Sequence, residues 1–168
     1  MKHLHLLRHA KSSWDDPDLA DHERPLAPRG KKATRRIAEH VREMGIAPDL
    51  VLCSTALRAR QTLAGLLPVL GGDVDVRIEE GLYGASVGDL LARLRAVDDG
   101  IAAVLVVGHN PTLHGLALRL TERGDLLDRF PTGALASLTF TTGWAELGDG
   151  AAQLEGLFFP RPPRARAD

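Results

Sequence analysis

Apolar residues fall along this chain in two alternating textures. Short dense runs, such as Leu4-His5-Leu6-Leu7 and Ala102-Ala103-Val104-Leu105-Val106-Val107, have the length of strands. Between them lie longer segments in which apolar residues recur every three or four positions, the spacing of a helix with one buried face. The pattern predicts strands over 3–7, 49–53, 74–78, 102–107, 134–141 and 152–159, and helices over 28–44, 55–67, 87–97 and 111–121. In the first helix Ala33, Ile37, Val41 and Met44 share a face, and Gly45 follows as a stop signal. Pro68 is expected to end the second, whereas Pro111 suits the first turn of the fourth. The 102–107 run lacks polar alternation, as expected of a strand covered on both faces. Residues 74–78 alternate apolar with charged side chains and read as a strand nearer an edge.

Alternating strands and helices imply an α/β fold, a three-layer sandwich with a mostly parallel central sheet and helices on both faces. With 168 residues and 44% hydrophobic content, the chain suits one domain with a proper core. We expect that domain over 1–160, followed by a loosely ordered proline- and arginine-rich tail over 161–168. A net charge of -1 gives no global reason to expect nucleic acid or a membrane surface as partner. No apolar run approaches the roughly 20 residues of a membrane span, and the first residues lack the apolar core and small-residue cleavage site of a signal peptide. The lone Cys53 excludes an internal disulfide framework. These features fit a cytoplasmic protein.

In open α/β sheets ligands gather beyond the carboxyl ends of the strands. Arg8-His9, Ser54 and Gly108-His109 all fall at such ends. His9 is the candidate nucleophile, because a largely neutral imidazole can attack phosphorus and carry the phosphoryl group. Arg8 and Arg58 are candidate phosphate clamps, since guanidinium donors match phosphate oxygens in pairs and stay charged. His109 opens Gly108-His-Asn-Pro-Thr and is expected to donate a hydrogen bond to a phosphoryl oxygen. Glu80 is the candidate general acid, with the adjacent Glu79, or a simply solvated pair, as the alternatives. Arg60, His3, His5, His22, His40 and His114 carry no assigned chemistry. No Cys-x-x-Cys, His-Glu-x-x-His or phosphate-loop motif occurs, so no metal and no cofactor are expected.

Five segments, in order, resemble the histidine phosphatase superfamily, also called phosphoglycerate mutase-like. They are Leu7-Arg8-His9-Ala10, with alanine where the family usually has glycine, Pro25-Leu26-Ala-Pro-Arg-Gly30, Ser54-Thr-Ala-Leu-Arg58-Ala-Arg-Gln-Thr62, Glu80-Gly-Leu-Tyr83-Gly84 and Gly108-His109. The small size, Arg-His-Ala-Lys-Ser, Gly-His-Asn-Pro and Phe130-Pro-Thr-Gly-Ala134 are most similar to the phosphohistidine phosphatase branch, the SixA type. The resemblance implies a metal-independent phosphatase with His9 as nucleophile and Arg8, Arg58 and His109 forming the phosphate pocket. It implies phosphohistidine proteins or small phosphomonoesters as substrates, and inorganic phosphate or oxyanions as inhibitors. A phosphomutase would need a covered pocket, for which the short chain leaves little material. A non-catalytic phospholigand-binding module is the alternative of a different class. The loop after His9 carries Asp15, Asp16, Asp18, Asp21 and Glu23. It is either a solvated loop or, if it lines the entrance, a barrier to polyphosphorylated ligands.

Overall fold

The computed structural model describes residues 1–161. Six strands form one mixed sheet: β1 (Lys2–Arg8), β2 (Leu50–Ser54), β3 (Asp75–Glu79), β4 (Ala103–Gly108), β5 (Leu135–Phe140) and β6 (Gln153–Phe158). Their order across the sheet is β3-β2-β4-β1-β5-β6. The first four run parallel, while β5 is antiparallel to β1 and to β6. Four helices cover the sheet, α1 (Pro28–Glu43), α2 (Leu57–Leu70), α3 (Val87–Arg95) and α4 (Thr112–Thr121).

The sheet divides the apolar interior in two. On one face, Ile37 and Val41 of α1 and Leu63 and Leu66 of α2 pack against Leu7, Val51, Leu105 and Leu135. On the other, Leu91 and Leu94 of α3 and Leu113 and Leu116 of α4 pack against Leu4, Leu6, Val104 and Val106. β4 is buried along its whole length, which explains its unbroken apolar sequence. β3 lies at the edge with most of its side chains exposed, as its alternation implied. Each fully buried leucine contributes about 1.5–3 kcal/mol relative to exposure, so these faces dominate the stability of the sandwich. The indole of Trp144 is fully buried and donates to the Ile101 carbonyl at 2.8 Å.

Most boundaries shift by one or two residues from the sequence reading, and three differences have a physical reason. Pro68 does not stop α2, which continues to Leu70. The carbonyl that loses its partner belongs to exposed Ala64, while Leu66 and Leu70 are buried and hold the last turn down. Pro111 is the N-cap of α4 rather than its first helical residue. Met44 follows α1 and is 65% exposed, so the buried stripe is Gly30, Thr34, Ile37 and Val41. The expected tail beyond Arg161 lies outside the described residues. Among the described residues no helix is long and apolar enough to cross a membrane.

Parallel pairing in register is what assembles the working end. Leu7 pairs with Val107 and Arg8 with Gly108, so the next residues, His9 and His109, emerge side by side. Cys53 pairs with Val107 on the other flank, which sets Ser54 against the same strand end.

Candidate active site

A cleft of about 520 Å³ opens beyond the carboxyl ends of β1, β2 and β4. Arg8, His9, Arg58 and His109 all line it. Four residues spread over a hundred positions of sequence are thus brought together by the crossovers of the sheet. The rest of its wall includes Lys11, Ser12, Trp14, Arg24, Tyr83 and Asn110.

The imidazole of His9 is held in a defined tautomer. Its Nδ1 lies 2.8 Å from the Ala10 carbonyl oxygen, which can only accept, so Nδ1 carries the proton. Nε2 is left unprotonated, and its lone pair accepts from Arg58 Nε at 3.3 Å. Burial is the main cause that lowers the His9 pKa to about 3, with His109, Arg58 and Arg8 adding to the shift against the raising effect of the Ala10 carbonyl. His109 falls to about 4, first through burial and then through Arg58. Both rings are therefore neutral at pH 7, with centroids 5.2 Å apart. His109 Nε2 shares a 2.7 Å hydrogen bond with Ser54 Oγ, which also accepts from the Ala56 amide.

The two arginines are held differently. Arg8 donates from one terminal nitrogen to the Phe130 carbonyl at 3.2 Å, whereas its buried Nε has no partner among the described residues. An orphaned guanidinium donor in a cleft is a cue for an anion. Arg58 donates to the Asp21 carbonyl at 2.7 Å and to Asp21 Oδ2 at 3.0 Å. Asp21 also accepts from Arg24 at 2.9 Å and from the Tyr83 hydroxyl at 2.6 Å. These bonds, Tyr83 first, hold its carboxyl well below the usual aspartate range.

The backbone around His9 is clamped by neighbours from other segments. Thr62 Oγ1 accepts from the Ala10 amide at 3.1 Å and donates to the Arg58 carbonyl at 2.7 Å. The Ala27 amide donates to the Lys11 carbonyl at 2.9 Å. A Cβ on Gly30 would stand 2.1 Å from that same carbonyl oxygen, so only glycine lets α1 start this close to the loop. Gly133, at φ 77°, donates to the carbonyls of both Arg8 and His9.

The structure does not bring Glu80 into the cleft. The short turn Glu80–Leu82 leaves that side chain exposed and delivers Tyr83 and Gly84 to the wall instead. Glu79 is paired with Arg93 at 2.7 Å. The expected acid role for Glu80 has no geometric support. The acidic loop does not form the entrance as a block either: none of Asp15, Asp16, Asp18, Asp21 and Glu23 lines the cleft, and only Asp21 turns toward it. Trp14 and Arg24 represent the loop there, stacked with the guanidinium 3.1 Å from the ring centroid.

Sequence reasoning gave His22 no chemistry, yet its Nε2 meets Thr55 Oγ1 at 2.8 Å and its ring sits edge-on to Tyr83 at 4.8 Å. It also missed Asp21 as the anchor of Arg58. No local signal marks either, because both act across the fold. Arg60 is exposed and donates to the Thr55 carbonyl, in keeping with its lack of assigned chemistry. Among the described residues no three His, Cys, Asp or Glu side chains are grouped so as to hold a metal.

Comparison with known proteins identifies the family. The profile of the histidine phosphatase superfamily (branch 1) matches residues 4–99. The uncharacterized Mycobacterium tuberculosis protein Rv1276c is 40% identical over 163 residues, covering 92% of this chain and 100% of that protein. The chain belongs to the histidine phosphatase superfamily. Within it, the chain is similar to SixA proteins. A Nakamurella multipartitia protein assigned as phosphohistidine phosphatase SixA superposes with a TM-score of 0.83 at 35% identity, covering 98% of this chain and 97% of that one. The protein histidine phosphatase SixA complexed with tungstate gives 0.79 at 28% identity, covering 94% and 97%.

Proposed function

We propose that this protein is a metal-independent phosphatase that works through a phosphohistidine on His9. The observation that carries the reading is the fixed tautomer of His9, whose unprotonated Nε2 faces a cleft lined by Arg8, Arg58 and His109. In the first step Nε2 attacks phosphorus, and the bond to the leaving group breaks in line. The three neighbouring side chains take up charge on the equatorial oxygens. In the second step water attacks the phosphohistidine, the P–N bond returns its pair to Nε2, and inorganic phosphate leaves.

The leaving group decides which substrates suit this cleft. No carboxyl group lines it among the described residues, so an alkoxide would depart without help from a carboxylic acid. A phosphohistidine can leave as an already protonated imidazole and needs no such help. That chemistry, together with the similarity to SixA proteins, supports phosphohistidine proteins as substrates ahead of simple alkyl phosphates. The similarity to a tungstate complex likewise supports oxyanion inhibition at the same place.

The test is rapid quenching in alkaline detergent, where the P–N bond survives, of the protein with a labelled phosphohistidine protein, in the presence of EDTA. We expect trapped phosphoenzyme in the wild type and none in His9→Ala. His9→Ala should lower turnover at least about 10³-fold, as loss of a nucleophile does, without unfolding the chain. Turnover near the wild-type rate in that variant, or loss of activity on chelation, would refute the proposal.

A further inference from the structure

Beside the catalytic cleft lies a second, larger concavity of about 640 Å³. Six of its lining side chains are cationic: Lys11, Arg29, Lys32, Arg36, Arg129 and Arg161. No acidic residue lines it among the described residues, and none of the six forms an ion pair there. This concentration is unexpected in a chain with a net charge of -1. The cations come from separate segments. Arg29, Lys32 and Arg36 follow one face of α1, Lys11 comes from the loop after His9, Arg129 from the segment before β5 and Arg161 from the segment after β6. Two are held in place: Arg36 donates to the Pro160 carbonyl at 3.2 Å, and Arg129 stacks on Phe159 at 4.7 Å. Lys11 and Thr132 line both concavities, so the basic groove runs directly into the phosphoryl site.

We infer that the groove binds the anionic leaving group of a polyphosphorylated small molecule, whose terminal phosphate the cleft removes. The inference rests on the proposed His9 chemistry and extends it to phosphoanhydrides. Two features converge on that class. Among the described residues the cleft offers no carboxyl acid, and a shortened polyphosphate is a weakly basic anion that departs without a proton. The groove supplies cations where that departing charge would develop. A concave site favours a compact anion over a flat protein surface. His9 Nε2 forms its bond to the terminal phosphorus as the bridging P–O bond breaks, and that electron pair leaves on the bridging oxygen. Water then attacks the phosphohistidine and the P–N pair returns to Nε2. One water proton stays on the released phosphate, and the other goes to solvent or to the departed anion. No oxidant or other co-reactant is needed.

Inorganic tripolyphosphate and p-nitrophenyl phosphate distinguish the groove from the cleft, since both have leaving groups that need little protonation. The variant is Lys32→Ala/Arg36→Ala/Arg129→Ala, all exposed positions outside the catalytic cleft. In EDTA, we expect the wild type to convert tripolyphosphate to pyrophosphate and phosphate. The triple variant should lose at least about tenfold in kcat/KM for tripolyphosphate, with p-nitrophenyl phosphate unchanged within about twofold. The tripolyphosphate rate should also fall steeply with salt, as exposed cations are screened. Three results would overturn the inference: tripolyphosphate left intact while p-nitrophenyl phosphate is cleaved, equal losses on both substrates, or no loss on either. A triple-variant loss confined to phosphohistidine proteins would also overturn it, making the groove a protein-docking face. If neither wild-type substrate turns over, the His9 chemistry has failed, and calorimetry on His9→Ala still reads the groove. Tripolyphosphate binding that the triple substitution abolishes supports the site; absence of binding refutes it.

Discussion

The floor of the cleft and its rim are built on opposite principles. The floor is made of strand ends and the first turn of a helix, with His9, His109 and Ser54 set by sheet register and Arg58 by the start of α2. Its side chains are largely buried, and most of their partners are backbone groups or one another, with Asp21 reaching in to Arg58. The rim comes from loops. Asp21 and Trp14 reach it from the loop after His9 and Tyr83 from the turn after β3, and they are tied by side-chain contacts near solvent, Trp14 through Arg24. Register fixes a nucleophile to fractions of an ångström, whereas loops supply selectivity that can change without disturbing the sheet. The floor should therefore be intolerant of substitution and the rim forgiving.

The sharpest way to break that contrast is at Arg58. A lysine there keeps the charge but loses the planar donor set that meets both His9 and Asp21. Arg58→Lys should lower kcat/KM on p-nitrophenyl phosphate by about 10²–10³-fold, the cost of one transition-state donor. A loss of less than about tenfold would place Arg58 with the rim.

Gly30 tests the support under the floor. Gly30→Ala forces its Cβ into the Lys11 backbone, two residues from His9. Such overpacking costs about 1–3 kcal/mol, which thermal melting should register as a fall of about 2–4 °C per kcal/mol. Activity should fall about tenfold, because the displaced backbone carries the nucleophile. Gly88→Ala in α3, where a Cβ meets nothing closer than Ser86 Oγ at 3.8 Å, is the control and should be neutral or slightly stabilising. Equal behaviour of the two variants would remove the special role given to Gly30.

Acid stability sharpens the comparison by separating buried histidines from exposed ones. Burial lowers His9 to about 3 and both His5 and His109 to about 4. Above the unfolded value near 6.5 these groups are neutral in both states and their contribution is complete. As pH falls below 6.5 the unfolded chain takes up protons that the folded chain refuses, so stability drops until the folded values are reached. Melting at pH 4.5 should therefore lie at least about 5 °C below melting at pH 7.5. A flat profile would mean that these rings are not held neutral.

The smallest effects belong to the carboxylates. Asp21 is half exposed, so its bond to Arg58 is partly screened. Asp21→Asn should lower kcat by no more than about fivefold and lower KM as well, since the carboxylate competes with phosphate for Arg58. Glu80→Gln should change kcat/KM for butyl phosphate by less than about twofold, against the 10²–10⁴-fold typical of a general acid. A loss in that larger range would restore Glu80 as the acid and require the turn to close over substrate.

The chain by itself determined the α/β alternation, the edge position of β3 and the strand-end placement of His9, Ser54 and His109. Each is a local property, written in runs of apolar residues and in the polar residues that end them. It also pointed to Arg8 and Arg58 through their motifs. Only the tertiary structure decided that Pro68 continues α2, because burial of Leu66 and Leu70 outweighs one lost hydrogen bond near solvent. Only it joined Asp21 and Tyr83 to Arg58 across three separate segments, and left Glu80 facing water. The basic groove was equally hidden, since its cations are scattered from Lys11 to Arg161 in a nearly neutral chain. Periodicity reports which face of an element is buried; it carries no information about which loops meet across the end of a sheet. That is settled by packing between residues distant in sequence, where the chemistry of this cleft is finished.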